Sequence, residues 1–325
     1  RITSDGYIDR ASSELDSYFL QGAFKDDKSL LKVLLFGGHE ITYQAWDGID
    51  SETLANDRTF NPVGMYTDEN DQTQFYENEV DNYKQNHAQF LYNRKLSNNW
   101  NANIALHYTR GRGYFEQFKE DEDFSDYGIQ EIITGQQDTL NTTDLIRRRW
   151  LDNHFYGTVF SAKYTNEKLN LVIGGGFNKY EGGHFGEIIW AQFSNNRNYL
   201  DRYYDDNSTK MDFNIYSKAN YKLDEKWSLF GDLQYRTVGY KANGEETGLV
   251  DDNFNFFNPK AGVTYDLNQH NKLYFSYAVA NREPNRNDYE GGNPKPEKLN
   301  DFELGWRYVT EVVQVNTNMY YMGYK

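Results

Sequence analysis

The sequence predicts an all-β protein, an antiparallel up-and-down β-barrel that crosses a membrane. Three observations lead to this fold class: apolar and polar residues alternate along many segments, short and long connections follow each other, and aromatic residues cluster near segment ends. The 325 residues include 17% aromatic residues at a mean hydropathy of −0.90. That combination is too polar for an ordinary soluble core and too aromatic for a disordered chain.

Alternation with a period of two defines the predicted strands. Late in the chain, for example, Phe302, Leu304 and Trp306 are separated by a polar residue and a glycine. We expect about twelve such strands, most with the roughly 9–11 residues that a tilted transmembrane strand needs. No apolar run exceeds four residues, which excludes a spanning helix of about 20 residues. Other clear cases are residues 102–108, 169–177, 212–223, 227–236, 257–267, 273–280 and 313–321.

The connections between these segments alternate in length. The short polar turns are residues 26–28, 97–99, 166–168, 224–226, 268–271 and 310–311. The long connections are residues 45–72, 113–148, 179–209, 240–253 and 282–298. Short periplasmic turns at one end and long extracellular loops at the other are typical of outer-membrane barrels. A β-sandwich has fewer strands, and a β-propeller would show a repeated blade motif that this chain lacks.

The composition and motifs argue against several classes of function. A formal charge of −15 argues against nucleic-acid binding, which begins with a basic face, and the chain has no cysteine for disulfides or thiolate chemistry. No known nucleophile, metal-protease or nucleotide-binding motif is present, so we predict neither an enzyme nor a bound cofactor. His87 and His107 fall on one polar face, where structural hydrogen bonding is expected rather than a metal site. The acidic run 120–123 is expected to be a solvated loop tip.

Arginine and aromatic side chains in the predicted long loops are the candidate ligand-binding residues. Arginine can bind carboxylate or catecholate oxygens in pairs, and tyrosine or tryptophan can stack on flat chelators or sugars. The alternative is that the rings pack the loops together while the arginines pair with the abundant acids. Residues 147–149 could also meet lipid phosphates at the outer leaflet. The candidates are Trp46, Tyr114, Arg147, Arg148, Trp150, His184, Trp190, Arg202, Tyr203, Arg282 and Arg286.

Several segments resemble TonB-dependent outer-membrane receptors of the Bacteroidetes type. The strongest match is Arg-Glu-Pro at residues 282–284, with Asn-Pro-Lys-Pro-Glu at residues 293–297. The second motif is one residue shorter here than in the family, because Lys-Pro-Glu follows Asn-Pro directly. The other matching segments are residues 2–11, 42–46, 61–62, 108–114, 144–151, 182–187 and 302–305.

The resemblance implies a barrel of about 22 strands with a plug domain in its lumen. Residues 1–325 would then be the central part of that barrel, with the plug and remaining strands outside this chain. It also implies energy-coupled uptake across the outer membrane of a Gram-negative cell, driven by the TonB–ExbB–ExbD complex, with outer-membrane lipid around the barrel.

An iron–siderophore chelate is the leading ligand implied by this resemblance, while haem, a cobalamin or a glycan stay open. Residues 282–297 contain no histidine, which weakens the haem hypothesis. A passive porin, and a surface adhesin or glycan-binding protein, are the alternative functions.

Overall fold

The computed structural model describes residues 1–133, 135, 139–245 and 247–325. Strands make up most of these residues, alongside helices α1 (Ser51–Asn56) and α2 (Arg286–Glu290) and one 3₁₀ turn (Phe124–Tyr127). The strands are β1 (Ile2–Ser4), β2 (Ser12–Lys25), β3 (Ser29–Tyr43), β4 (Met65–Thr67), β5 (Thr73–Phe75), β6 (Val80–Lys95), β7 (Trp100–Asp123), β8 (Ile132–Ile133), β9 (Thr139–Leu140), β10 (Thr142–Thr165), β11 (Leu169–Ala191), β12 (Arg202–Lys222), β13 (Trp227–Gly244), β14 (Gly248–Asp266), β15 (Asn271–Arg282), β16 (Glu297–Val309) and β17 (Gln314–Tyr324).

Thirteen of these strands form one sheet, in which each strand pairs antiparallel with its neighbours along the chain. Apart from the three-residue β1, its strands are 11 to 24 residues long. Strands β4 and β5, and strands β8 and β9, form two small separate pairs. The predicted all-β, up-and-down antiparallel class is therefore confirmed, as are about twelve long strands.

The short turns lie where the sequence places them, and their first residues explain why. Asp26 accepts hydrogen bonds from the backbone N–H groups of Lys28 and Ser29, at 2.8 and 2.6 Å. Asp224 does the same at the turn before β13, and Asn166 at the turn before β11. Such side-chain bonds mimic a backbone turn and fix a tight reversal between two strands.

Three of the predicted long loops are much shorter in the structure than the sequence predicts. Most of residues 113–148 belongs to β7 and β10, most of 179–209 to β11 and β12, and most of 240–253 to β13 and β14. In these strand ends both faces carry polar and charged residues, so the alternation that identifies a strand fades although the backbone pairing continues. The connections at this end are residues 44–79, 124–141, 192–201, 245–247 and 283–296.

The sheet has two distinct faces, which the pairing register defines. Phe90 stands opposite Leu106, and Phe177 opposite Phe213, on what we call the apolar face. These four side chains are between 37% and 47% exposed. The opposite, polar face carries His107, Asn178 and Asp212, among others, because side chains alternate along each strand.

Buried apolar clusters lie at the end of the sheet that carries the long connections. One joins Phe124 and Tyr127 to Leu145, and another joins Tyr43 to Val63. Among the described residues, no helix is long and apolar enough to cross a membrane. The clusters therefore order the connections that stand above the regular part of the sheet.

Candidate functional site

The sequence-predicted site residues lie mainly in the far ends of strands. Trp46 lies in connection 44–79, and Arg286 begins helix α2 within connection 283–296. The placement of the other candidates in loops was wrong, because strand pairing continues through them. These residues are Tyr114, Arg147, Arg148, Trp150, His184, Trp190, Arg202, Tyr203 and Arg282.

The strands divide these candidates between the two faces. Tyr114 lies eight residues beyond Leu106 in β7 and stands opposite Trp150, so both rings are on the apolar-face side. His184 lies six residues beyond Asn178 in β11, which places it on the polar face. The candidates therefore cannot all contact one ligand.

Arg148 serves a buried ion pair that holds connection 44–79. Its Nε lies 2.6 Å from an oxygen of Glu116, a side chain with only 2% exposure. The hydroxyl of Tyr76 donates to the same carboxylate at 2.5 Å, and Asn78 also donates to it. Burial, together with the adjacent Glu116 carboxylate, raises the pKa of Tyr76. Arg148 is thus used structurally, as the alternative interpretation expected.

Most other candidates also have partners within the protein. Arg147 donates to Gln117 at 2.9 Å and to the hydroxyl of Tyr127 at 2.7 Å, and the Tyr127 ring lies 4.6 Å from that of Tyr203. The indole of Trp150 donates to Glu187 at 2.8 Å. These contacts order the strand ends and the 3₁₀ turn.

The remaining candidates make surface contacts. Arg202 lies over the ring of Phe185 at 3.6 Å and pairs with Asp205, and Trp46 packs edge-on against Phe115 at 4.8 Å. Arg282 lies 3.7 Å from Glu297, and Trp190 is 46% exposed.

His184 and Arg286 are brought together at a cavity, although 102 positions separate them in the sequence. Nη1 of Arg286 lies 3.3 Å from Nδ1 of His184. The cavity has a volume of about 250 Å³ and lies on the polar face of β11, β12 and β13. Residues 284–286 of the connection after β15 cover it. Its lining includes Tyr180, His184, Lys210, Tyr240, Pro284 and Arg286.

An ion network centred on the buried carboxylate of Glu283 anchors this cover to the sheet. Glu283, 8% exposed, lies 2.7 Å from Nζ of Lys210 and 2.7 Å from Nη1 of Arg236. Arg236 also pairs with Asp212. Burial acts to raise the pKa of Glu283, but the hydrogen bonds from Arg236 and Lys210 outweigh it and lower that pKa to about 2. The carboxylate is therefore charged at neutral pH and fixes the start of the connection.

Helix α2 completes the cover. Asn285 caps its N-terminus by accepting from the backbone of Asp288, whose side chain accepts from the backbone of Asn285 in return. Tyr289 packs 5.4 Å from the ring of Tyr240 and donates to Asp252 at 2.7 Å. Burial and the Asp252 carboxylate raise the pKa of Tyr289. The motif at residues 282–286 thus builds a rigid cover.

The cavity combines cations with aromatic walls. Arg286, which also contacts Glu290 at 3.2 Å, supplies a planar set of N–H donors. Lys210 lies close by but is paired with Glu283, and the carboxylate of Asp206 also lines the cavity. Tyr180 and Tyr240 supply flat apolar surface. Such a site suits a small group that carries both negative oxygens and a ring.

His87 and His107, which the sequence places on one polar face, are held in separate hydrogen bonds. His87 contacts Thr109 at 2.8 Å, and His107 contacts Asn178 at 2.9 Å. Among the described residues, no group of three histidines or acids is arranged to hold a metal ion. Glu122, in the acidic run, accepts from the Tyr127 hydroxyl at the end of β7 rather than lying in a loop tip.

Four important residues of the cavity and its cover were missed from the sequence: Tyr180, Lys210 and Tyr240 in the cavity lining, and Glu283 beneath the cover. Tyr180 lies four residues from His184 in one strand, so the two-residue period could have identified it. Glu283 lies inside the recognised motif at residues 282–284. Lys210 and Tyr240 needed the register between β12 and β13, where they stand opposite each other.

Comparisons with known proteins agree with this architecture. A family model described as TonB dependent receptor-like, beta-barrel matches residues 23–325. A search of curated proteins finds no match.

Among solved structures, the chain resembles the copper transporter OprC at a TM-score of 0.68 and 13% identity, over 98% of this chain and 47% of that one. It also resembles the unliganded ferric citrate transporter FecA, with a TM-score of 0.65 and 13% identity; the match covers 98% of this chain and 44% of FecA. A third similar structure is P. aeruginosa FpvA bound to heterologous pyoverdines, with a TM-score of 0.61 and 13% identity; the match covers 99% of this chain and 43% of FpvA. The chain therefore spans about half the length of these proteins or somewhat less.

Proposed function

The chain belongs to the TonB-dependent receptor-like β-barrel family, and from that membership we propose that it serves as part of an outer-membrane receptor for energy-coupled ligand uptake. The apolar face then contacts lipid and the polar face lines the lumen. In this proposal the TonB–ExbB–ExbD complex of a Gram-negative cell drives transport.

The ligand we propose is an iron–siderophore-type chelate. The observation that carries this proposal is the cavity in which Arg286 meets His184 beneath a fixed cover. The guanidinium of Arg286 fits the carboxylate or catecholate oxygens of a chelator, and the tyrosines fit a ring. A cavity of about 250 Å³ fits one arm of such a ligand better than a whole chelate. Structural neighbours that transport ferric citrate or bind pyoverdine support this ligand class.

We further propose that residues 1–325 form the central part of a larger barrel of about 22 strands, of the Bacteroidetes type, with its plug supplied by another part of the receptor. The chain's span of 43–47% of the three structures described above supports this.

The test is uptake of ⁵⁵Fe by a receptor-deletion strain that expresses the full-length receptor or a variant. Ferric complexes of a catecholate, a hydroxamate and citrate are the probes. We expect Arg286→Gln to lower uptake of at least one complex about tenfold, because a charge-assisted hydrogen bond is lost. Arg307→Gln is the matched control, since this exposed arginine lies near the short turns. Equal uptake by both variants and by the deletion strain would contradict the iron proposal.

A steady conductance of the purified full-length protein in a planar bilayer would instead favour a passive porin. Binding to a glycan without energy-dependent entry would favour an adhesin. Both outcomes differ from the lowered uptake of one ferric complex that we expect for Arg286→Gln, so the assays separate the three functions.

A further inference from the structure

A row of cationic side chains crosses the apolar-face side of the sheet above the apolar residues. Lys84 in β6 stands directly opposite Arg112 in β7, and on its other side opposite His39 in β3. Arg110 lies two residues before Arg112 and therefore on the same face. Lys84 and Arg112 are both exposed. Three permanent positive charges thus occupy one patch on adjacent strands.

The patch has too little negative charge within the protein. Asp152 is shared, since it pairs with Arg110 and lies 3.6 Å from Nε of Arg112. Among the ion pairs of the described residues, none includes Lys84. Like charges directly opposite each other in a sheet are destabilising. A bound anion would relieve this repulsion.

The height of the patch on the sheet identifies the anion. Arg112 lies twelve residues beyond Trp100, the first residue of β7, or about 40 Å along the strand. With the usual tilt of barrel strands this is about 30 Å across the membrane, just above an apolar band of about 25 Å. Tyr108, which is 41% exposed, lies directly below the patch on the same face. Head groups of the outer leaflet lie at this level.

We propose that Lys84, Arg110 and Arg112 form a binding site for a phosphate group on an outer-leaflet lipid. The inference rests on the membrane placement in the proposed function but not on any ligand of the lumenal cavity. Arginine and lysine near a membrane surface attract anionic head groups, and paired arginine N–H groups match phosphate oxygens. The site lies on the opposite face of the sheet from His184 and Arg286.

The experiment titrates the purified full-length receptor in neutral detergent with bisphosphorylated lipid A, measured by native mass spectrometry. We expect the double variant Lys84→Gln/Arg112→Gln to bind about thirtyfold more weakly, because two charges are removed. Lys84→Arg keeps the charge and should bind within about twofold of wild type. Lys241→Gln is the matched control, since Lys241 lies on the same face but is neutralised by Asp251 at 2.9 Å.

Lipid A without phosphates should bind wild type as weakly as the double variant binds the phosphorylated form. The proposal is overturned if the double variant binds like wild type, if Lys241→Gln loses as much affinity, or if phosphate-free lipid A binds equally well. Displacement by inorganic phosphate at concentrations equimolar with the lipid would also overturn it, by indicating a free-anion site. Fractionation of cells tests the membrane placement separately: absence of the receptor from the outer membrane would remove the premise without reference to this titration.

Discussion

Replacing Glu283 with glutamine should release the cover of the cavity that His184 and Arg286 line. The carboxylate is 8% exposed and accepts from two cations, Lys210 and Arg236, at 2.7 Å each. Glutamine is nearly the same size, so the change removes charge with little change in packing. Arg236 keeps its pairing with Asp212, whereas Lys210 loses its carboxylate partner. The start of connection 283–296 then loses its ion pairs with Lys210 of β12 and Arg236 of β13.

The pKa shift of Glu283 gives the magnitude of the stabilisation that this substitution removes. Folding lowers the pKa of Glu283 from 4.5 to about 2, a difference worth about 3 kcal/mol. Because the folded-state value is the lower one, this stabilisation is present above pH 4.5 and is lost as the pH falls towards 2. Removing one partner of a buried ion pair costs a similar amount, about 3–5 kcal/mol.

Hydrogen exchange of the connection measures this loss directly. We expect backbone amides of residues 284–292 to exchange about a hundredfold faster in Glu283→Gln than in wild type at pH 7. Glu297→Gln is the matched control, since Glu297 ends the same connection but is 56% exposed and 3.7 Å from Arg282. Unchanged exchange in Glu283→Gln, or an equal increase in both variants, would refute the anchoring role.

Three further outcomes follow from other contacts. Burial raises the pKa of Glu79 from 4.5 to about 7, so connection 44–79 should be most stable below pH 4.5 and lose about 3 kcal/mol as the pH rises to 7. Glu79→Gln should abolish this dependence in hydrogen exchange measured across that range, and a persisting slope would contradict the assignment. Arg148→Gln should destabilise the same connection by about 3–5 kcal/mol, because Glu116 loses its ionic partner. Hydrogen exchange of the backbone amides of residues 68–79 measures this destabilisation, and unchanged exchange would argue against a stabilising role of the Arg148–Glu116 ion pair. Gly113→Ala should lower thermal stability by about 1–3 kcal/mol, because the added Cβ would collide with the carbonyl oxygen of Asn82 and lie 2.6 Å from Cα of Tyr83 in β6. Gly231→Ala should leave stability unchanged, because nothing lies within 4 Å of its added Cβ, and equal melting temperatures for the two variants would contradict the steric argument.

The regular part of the sheet could be predicted because local chemistry specifies it. Asp26 and Asp224 form their turns with residues two and three positions away, so the sequence alone contains both partners. Alternation is equally local where one face of the sheet is apolar and the other is polar. It fades in the distal halves of β7 and β10, where both faces are polar, and the loops predicted there are strands instead.

The site could be predicted only in part, because its contacts join distant strands. His184 and Arg286 were both candidates, yet nothing local indicates that they meet. Glu283 reaches Arg236 across 47 positions, a pairing that depends on the register of the sheet. Trp150 shows the opposite case: its residue type fits ligand binding, but it lies on the other face and donates to Glu187.

Uptake of ⁵⁵Fe-chelate in otherwise identical cells with and without TonB tests the central proposal most directly. The full-length receptor should accumulate at least one ferric complex above its external concentration only when TonB is present. Loss of TonB should reduce accumulation to the level of the receptor-deletion strain. Accumulation that is independent of TonB, and that merely follows the external concentration, would contradict energy-coupled uptake.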